Sequence, residues 1–290
     1  MLNHEVNKRF KDRIASGGAL MLPGAANALA ARVIEDLGFE AVYLSGAGLT
    51  NTFLGMPDLA FVSLPEIAQH TAAIRDATEL PIVVDADNGF GNGLNVRHTI
   101  RTLERAGASA IQLEDQKTPK RCGHFSGKEV VPLAEARSRI KAAVDARQDE
   151  NTLIVARTDA AATDGMTEAL DRAAAFIEDG ADITFVEAPQ TVDDLRAIPS
   201  ALPGTPQLVN LVVGGKTPIL SVDEFSDMGF SLVLYANVAL QSALYGMQTA
   251  LTQLRDQGRM DESGPLAGFV ERQRVVRKEL FDDLDKRYAY

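Results

Sequence analysis

A single (β/α)8 barrel of the TIM type, carrying an extra C-terminal helix, is the fold this sequence predicts, and three observations predict it. Short runs rich in Val, Ile and Leu lack polar alternation, as strands covered on both faces do. Amphipathic segments of helix length separate them, several ending at a glycine. The unit recurs roughly every 25 to 35 residues along a chain of 290, close to the ~250 residues that eight such units need. A doubly wound parallel sheet is the alternative that the same alternation admits.

The strands come in order. ALMLP (19–23), AVYLS (41–45), PIVVDAD (81–87) and AIQLED (110–115) supply the first four. TLIVARTD (152–159), ITFVEA (183–188), QLVN (207–210) and LVLYA (232–236) supply the rest. Between the first two, AANALAARVIEDLGF (25–39) is expected to put Leu29, Val33, Ile34 and Leu37 on one helical face, with Gly38 ending it. NVRHTIRTLERAGA (95–108) repeats the pattern with Ile100, Leu103 and Gly107. Segments 132–147 and 166–181 do likewise.

No Pro-, Ser- or Gly-rich linker divides residues 1–255, which form one catalytic barrel domain in this reading. Residues 256–290 are a helical extension. Its Leu266, Phe269, Val270, Val276, Leu280 and Leu284 are more apolar than one exposed helix needs, so it is expected to pack on a neighbouring subunit.

Composition narrows the function. A net charge of -11 opposes general affinity for nucleic acid or anionic membrane, both of which need a basic surface. Small acidic substrates remain open, because they need only a local basic pocket. One cysteine can form no internal disulfide. The start, MLNHEVNKRFKDRIASGG, is charged throughout and lacks the apolar core of a signal peptide, and no run approaches the ~20 apolar residues of a membrane span. A soluble, cytoplasmic protein is the expectation.

In such a barrel the C-terminal ends of the strands build the active site. There the sequence places Tyr43 and Ser45-Gly46, Asp85 and Asp87, Glu114, Arg157 and Asp159, Glu187 and Asn210. Carboxylates packed so closely need a cation, and oxygen ligands that retain water suit Mg2+, with Mn2+ as the alternative. Any one of these acids equally suits the cap of a following helix; the set as a whole does not. Two glycine-rich stretches fail the motifs they suggest. DADNGFGNG has Gly89 and Val96 where an EF-hand loop needs ligands, and its glycines are spaced GxGxG; GGKT (214–217) is followed by Pro218.

The stretch EDQKTPKRCGHFSGK (114–128) holds the chain's one cysteine. Cys122 lies between Lys120-Arg121 and Gly123-His124, and nearby cations stabilise a thiolate, which suits a proton donor or nucleophile near neutral pH. An inert surface cysteine is the plainer alternative. One Cys and one His fall short of a structural zinc site. His70 and His98 fall in helical patterns and are expected to be ordinary structural histidines.

YLSGAG, LGMPD, VDADNGFGN, IQLEDQ, KRCGH, ARTDA and VNLVVGGKTP, in this order and spacing, resemble the isocitrate lyase/phosphoenolpyruvate mutase superfamily from about residue 8 to the C-terminus. KRCGH resembles the signature of its carbon–carbon lyases, the 2-methylisocitrate and 2,3-dimethylmalate lyases. The resemblance implies a (β/α)8 barrel with a helix swapped between subunits, in a homotetramer built as a dimer of dimers. It implies Mg2+ held directly by Asp85 and largely through water by Asp58, Asp87 and Glu114. Backbone N–H groups at Ser45 and Gly46, beside Ala47, would receive the carboxylate of an α-oxyacid that Arg157 also contacts. Residues 117–128 would form a gate carrying Lys120, Arg121 and Cys122, while Glu187, Asn210 and Gly123-His124 would bind the second carboxylate.

The implied reaction is a retro-aldol (Claisen-type) cleavage of a 2-hydroxy di- or tricarboxylate to an α-keto acid, pyruvate or glyoxylate, and a carboxylate. Cys122 would protonate the carbanion, and Tyr43 or a carboxylate such as Glu114, acting through water, would serve as base. Three departures from relatives bear on the substrate. Asn88 replaces Thr in DADNG, and Ala47 stands where Gly is frequent. Val212 and Val213 stand where relatives carry Thr and Glu, which favours a substituted malate over a tricarboxylate. Oxaloacetate hydrolysis and phosphonate chemistry, of the mutase or carboxyphosphonoenolpyruvate type, are the alternative activities, and a scaffold without activity is the non-enzyme one.

Overall fold

Eight strands form, where the apolar runs predict them: β1 (Leu20–Ala25), β2 (Val42–Leu44), β3 (Ile82–Asp85), β4 (Ala110–Glu114), β5 (Leu153–Thr158), β6 (Ile183–Val186), β7 (Gln207–Asn210) and β8 (Leu232–Tyr235). Each pairs in parallel with the next, and β8 returns to β1 in the register Leu20↔Leu232 to Pro23↔Tyr235, so the sheet closes into a barrel. This computed structural model describes residues 3–120 and 127–289. Alternation along each strand separates two cores. Tyr43, Val83, Ala110, Val155, Phe185 and Leu234 fill the barrel interior. Their neighbours Val42, Leu44, Val84, Ile111 and Ile154 pack outward against the helices.

A helix absent from the sequence reading, Asn3–Ala15, seals the lower end. Its buried Val6, Phe10 and Ile14 are spaced by four, and Phe10 and Ile14 join the interior cluster from below. The helix Ala28–Asp36 is rotated from the expected face. Ala31 and Ile34 point at the barrel, whereas Leu29, Val33 and Leu37 are exposed. Its outer end instead meets the C-terminal tail, where Arg274 pairs with Asp36 and Arg277 with Glu35.

The tail itself is two helices, Phe269–Val275 and Lys278–Tyr288, broken at Arg277, which takes the left-handed conformation. The apolar surplus also begins earlier than residue 256. The helix Val238–Gln257, eighth in the barrel's alternation, has no buried residue, and Met21 on β1 is left 45% exposed. Among the described residues no helix is long and apolar enough to cross a membrane.

Candidate active site

At the C-terminal ends of the strands a cavity opens, lined by Tyr43, Ser45, Ala47, Asp58, Asp85, Glu114, Lys120, Arg157, Glu187 and Asn210. Val212, Leu234, Ala236 and Asn237 complete its wall. The strand-end residues read from the sequence thus meet in one place, with Gly46, Asp87 and Asp159 just behind the lining. Arg121, Cys122, Gly123 and His124 lie outside the described residues.

The floor is set by β3 and β4. Asp85 Oδ1 accepts from the Asp87 backbone N–H (3.2 Å) and from Gln112 Nε2 (3.3 Å). Its Oδ2 accepts from the Gly46 N–H at 3.3 Å, and a Cβ at residue 46 would sit 3.1 Å from that oxygen, a tight approach that a glycine avoids. The Ser45 N–H donates to Ala25 O, so both backbone donors expected to await a carboxylate have protein acceptors in this structure. Ser45 Oγ instead caps the short helix that follows, accepting from Gly48 N. Asp87 takes a left-handed φ of 49°, which Asp tolerates better than most residues.

Tyr43 donates its hydroxyl to Gln112 Oε1 at 3.0 Å. Burial, reinforced by Asp85, pushes its pKa well above the ordinary tyrosine value. Gln112 was missed in the sequence, although it lies two residues before Glu114 and therefore on the same inward face. Asn237, Leu234 and Ala236 were missed because β8 ends in no charged residue.

The acids are held around one ammonium. Lys120 Nζ lies 2.6 Å from Asp58 Oδ1 and 2.8 Å from Asp87 Oδ1, the latter without hydrogen-bond geometry. Burial and the neighbouring Asp85 raise the Asp87 pKa to about 7 in spite of Lys120. Burial likewise raises Glu114 well above its usual range, against the pull of Arg157 at 3.4 Å. On β5, Arg157 donates from Nε to Asp159 Oδ2 (2.9 Å) and from Nη2 to Asp159 Oδ1 (3.1 Å), and its guanidinium stacks 5.1 Å from the Phe185 ring centre. Burial opposes ionisation of Asp159, yet Arg157 and Lys128 hold its carboxyl down to about 2. Asp159 is thus engaged by Arg157 and Lys128 and, like Asp87, is not among the acids lining the cavity.

These residues suit a hydrated divalent cation. Among the described residues Glu114 Oε1 is buried without a hydrogen-bond partner, and Lys120, with Arg157 already bonded to Asp159, cannot neutralise four neighbouring carboxylates. Among the described residues no three acids, histidines or thiols converge at direct ligand distance. Mg2+ does not need three, since it keeps several waters and takes one or two carboxylates directly. Asn210 Oδ1 and Asn237 Oδ1 are buried and without hydrogen-bond partners among the described residues. Val212 lines the cavity, but Val213 does not: it is 54% exposed, because the chain turns outward after β7.

Known proteins resemble this chain along most of its length. Residues 10–255 match the family described as phosphoenolpyruvate phosphomutase. The chain is 38% identical to the 2,3-dimethylmalate lyase of Eubacterium barkeri over 285 residues, covering 97% of each. It is 41% identical to a 2-methylisocitrate lyase of Aeropyrum pernix over 249 residues, 86% of this chain and 80% of that one. Among solved structures, oxaloacetate acetylhydrolase in complex with 3,3-difluorooxalacetate matches with a TM-score of 0.92 at 31% identity, covering 98% and 97% of the two chains. Phosphonopyruvate hydrolase in complex with oxalate and Mg2+ matches with a TM-score of 0.88 at 28% identity, covering 99% of each.

Proposed function

Since the chain belongs to the isocitrate lyase/phosphoenolpyruvate mutase superfamily, we propose that it is a Mg2+-dependent carbon–carbon lyase that cleaves a substituted malate to pyruvate and a smaller carboxylate. One observation carries the choice of substrate: besides the charged Asp85, Glu114 and Arg157, the cavity wall includes the apolar Val212, Leu234 and Ala236. An apolar wall there matches a methyl-bearing carbon better than a third carboxylate, whose desolvation it would not offset.

Asp85, with Asp58, Asp87 and Glu114 around it, would hold the cation, which when bound supplies the charge that lowers the pKa of a substrate hydroxyl. Arg157, fixed by Asp159, receives the carboxylate beside that hydroxyl. Tyr43 and Gln112 keep the Asp85 carboxylate in place. Asn210 and Asn237 turn their amides toward the remote carboxylate. Tyr43, or a carboxylate acting through water, takes the hydroxyl proton. Cys122 keeps the proton-donor role that the resemblance gave it, and Cys122→Ser is expected to slow turnover.

Assembly is part of the same reading. Leu244, Met247 and Leu251 of the helix Val238–Gln257 are half or more exposed, which supports a homo-oligomer, a dimer of dimers, joined through this helix. The decisive experiment measures release of pyruvate from 2,3-dimethylmalate, 2-methylisocitrate and oxaloacetate and of glyoxylate from isocitrate, with Mg2+ and again with chelator. Metal-dependent release from the substituted malate is expected. Oxalate and acetate from oxaloacetate, with no pyruvate from any hydroxy acid, would make the protein a hydrolase instead. Val212→Thr should shift kcat/KM toward 2-methylisocitrate relative to 2,3-dimethylmalate by about tenfold, the scale on which one small group in a pocket discriminates.

A further inference from the structure

We propose that Lys128 is a positioning residue for Arg157, acting through Asp159, and that it keeps the guanidinium's charge available to an incoming anion. The proposal rests on the reading that Arg157 receives the carboxylate of an α-oxyacid. Lys128 does not line the cavity. Its Nζ lies 2.7 Å from Asp159 Oδ1, with the two side chains 2% and 0% exposed. That oxygen is the one that also accepts from Arg157 Nη2. Two cations therefore share one carboxylate in a place from which water is excluded.

The sharing matters because Arg157 stands among several acids. Besides Asp159, Glu114 lies at 3.4 Å and Glu187 at 3.8 Å. A guanidinium so surrounded offers little net positive charge unless another cation draws off part of that field. Lys128 does this on the side facing away from the cavity. Asp159 is also braced from behind: its N–H donates to Asp115 Oδ1 at 2.9 Å, and Arg172 donates to Asp115 Oδ2 at 3.2 Å and to Val131 O at 2.9 Å. With Asp159 unable to turn away, loss of Lys128 would leave its whole charge on Arg157.

The test measures oxalate binding to the full-length protein in Mg2+ by calorimetry, alongside the thermal midpoint and the kcat and KM of the hydroxy-acid reaction. Lys128→Met should weaken oxalate about tenfold or more and raise KM further than it lowers kcat, as removal of one member of a buried charge group does. Lys128→Arg keeps the charge and should restore affinity. The double variant K128M/D159N removes the stranded carboxylate together with the lysine and should regain most of the lost affinity. A lysine that merely supports the fold predicts no such recovery.

Unchanged oxalate affinity in Lys128→Met overturns the proposal, as does a double variant no better than the single one. Should Lys128→Met not fold, the double variant decides against the unaltered protein, and an affinity about tenfold lower in it overturns the idea. A protein that binds oxalate but releases no pyruvate sinks the lyase reading, and the affinities alone still decide the role of Lys128. Failure of the unaltered protein to bind oxalate removes both.

Discussion

At the lower end of the barrel Asp149 accepts from Asn7 Nδ2 and from the Asn151 backbone N–H, both at 2.9 Å, with His4 Nδ1 3.0 Å away. Asp182 there accepts from Arg147 at 2.6 Å and from Ile154 N at 2.8 Å. At the mouth, Asp58, Asp85, Asp87 and Glu114 share Lys120 and Arg157. The carboxyls respond in opposite directions. Burial of Asp149 is outweighed by its donors, which hold it below the usual range. Burial of Asp87 wins and carries it to about 7. Asp149 and Asp182 are satisfied by the fold, whereas Glu114 Oε1 and Asp87 Oδ1 at the mouth lack a hydrogen-bond donor among the described residues. The contrast is physical and does not depend on knowing the ligand.

That contrast is sharpened or broken by a graded set of changes. Glu114→Gln removes a charge the mouth holds at a cost, so kcat/KM should fall by about 10³-fold, as when a group stabilising developing charge is lost, while the thermal midpoint in chelator is kept or raised. Loss of stability without loss of rate would place Glu114 with the structural acids. A smaller effect is expected from pH on the chelated protein. Asp87 has a folded pKa raised from 3.8 to about 7, so between those values the folded state binds more protons than the unfolded one. Stability should therefore fall as pH rises through that window, by several degrees in the thermal midpoint, and Asp87→Asn should flatten the slope. A midpoint that climbs over the same window would contradict the strained mouth. Smallest for function is Asn7→Ala at the lower end. It should cost about 1–3 kcal/mol of stability through the bonds lost to Asp149 and Thr152, with kcat/KM unchanged in the steady-state assay.

Much of this was legible because two periodicities carry it. The unalternated runs mark every strand, and a strand's last inward-facing residue falls at the mouth by geometry alone, so Asp85, Glu114, Arg157, Glu187 and Asn210 were readable from position. What escaped depended on packing. Helix Asn3–Ala15 looks like a charged leader unless Val6, Phe10 and Ile14 are seen as one stripe. The Ala28–Asp36 helix has a wider apolar arc than the barrel covers, so periodicity could not say that Ile34 turns inward and Leu37 outward. The engagement of Asp159 by Lys128 could not be read because Lys128 is distant in the chain. Gln112 is a polar residue inside a strand, readable only once Tyr43 and Asp85 are known to flank it.

The pairing of Leu20 with Leu232 ties the barrel's first strand to its last. On a ribosome adding about 5–20 residues per second, β1 would wait on the order of 10 to 40 seconds for β8 to emerge. Throughout that interval its edge has no native neighbour on one side, an open template for pairing with other chains. The lag, with its demand for a chaperone or for crowding partners kept at a distance, is a property of closure itself. It would be much the same whatever chemistry the mouth performs.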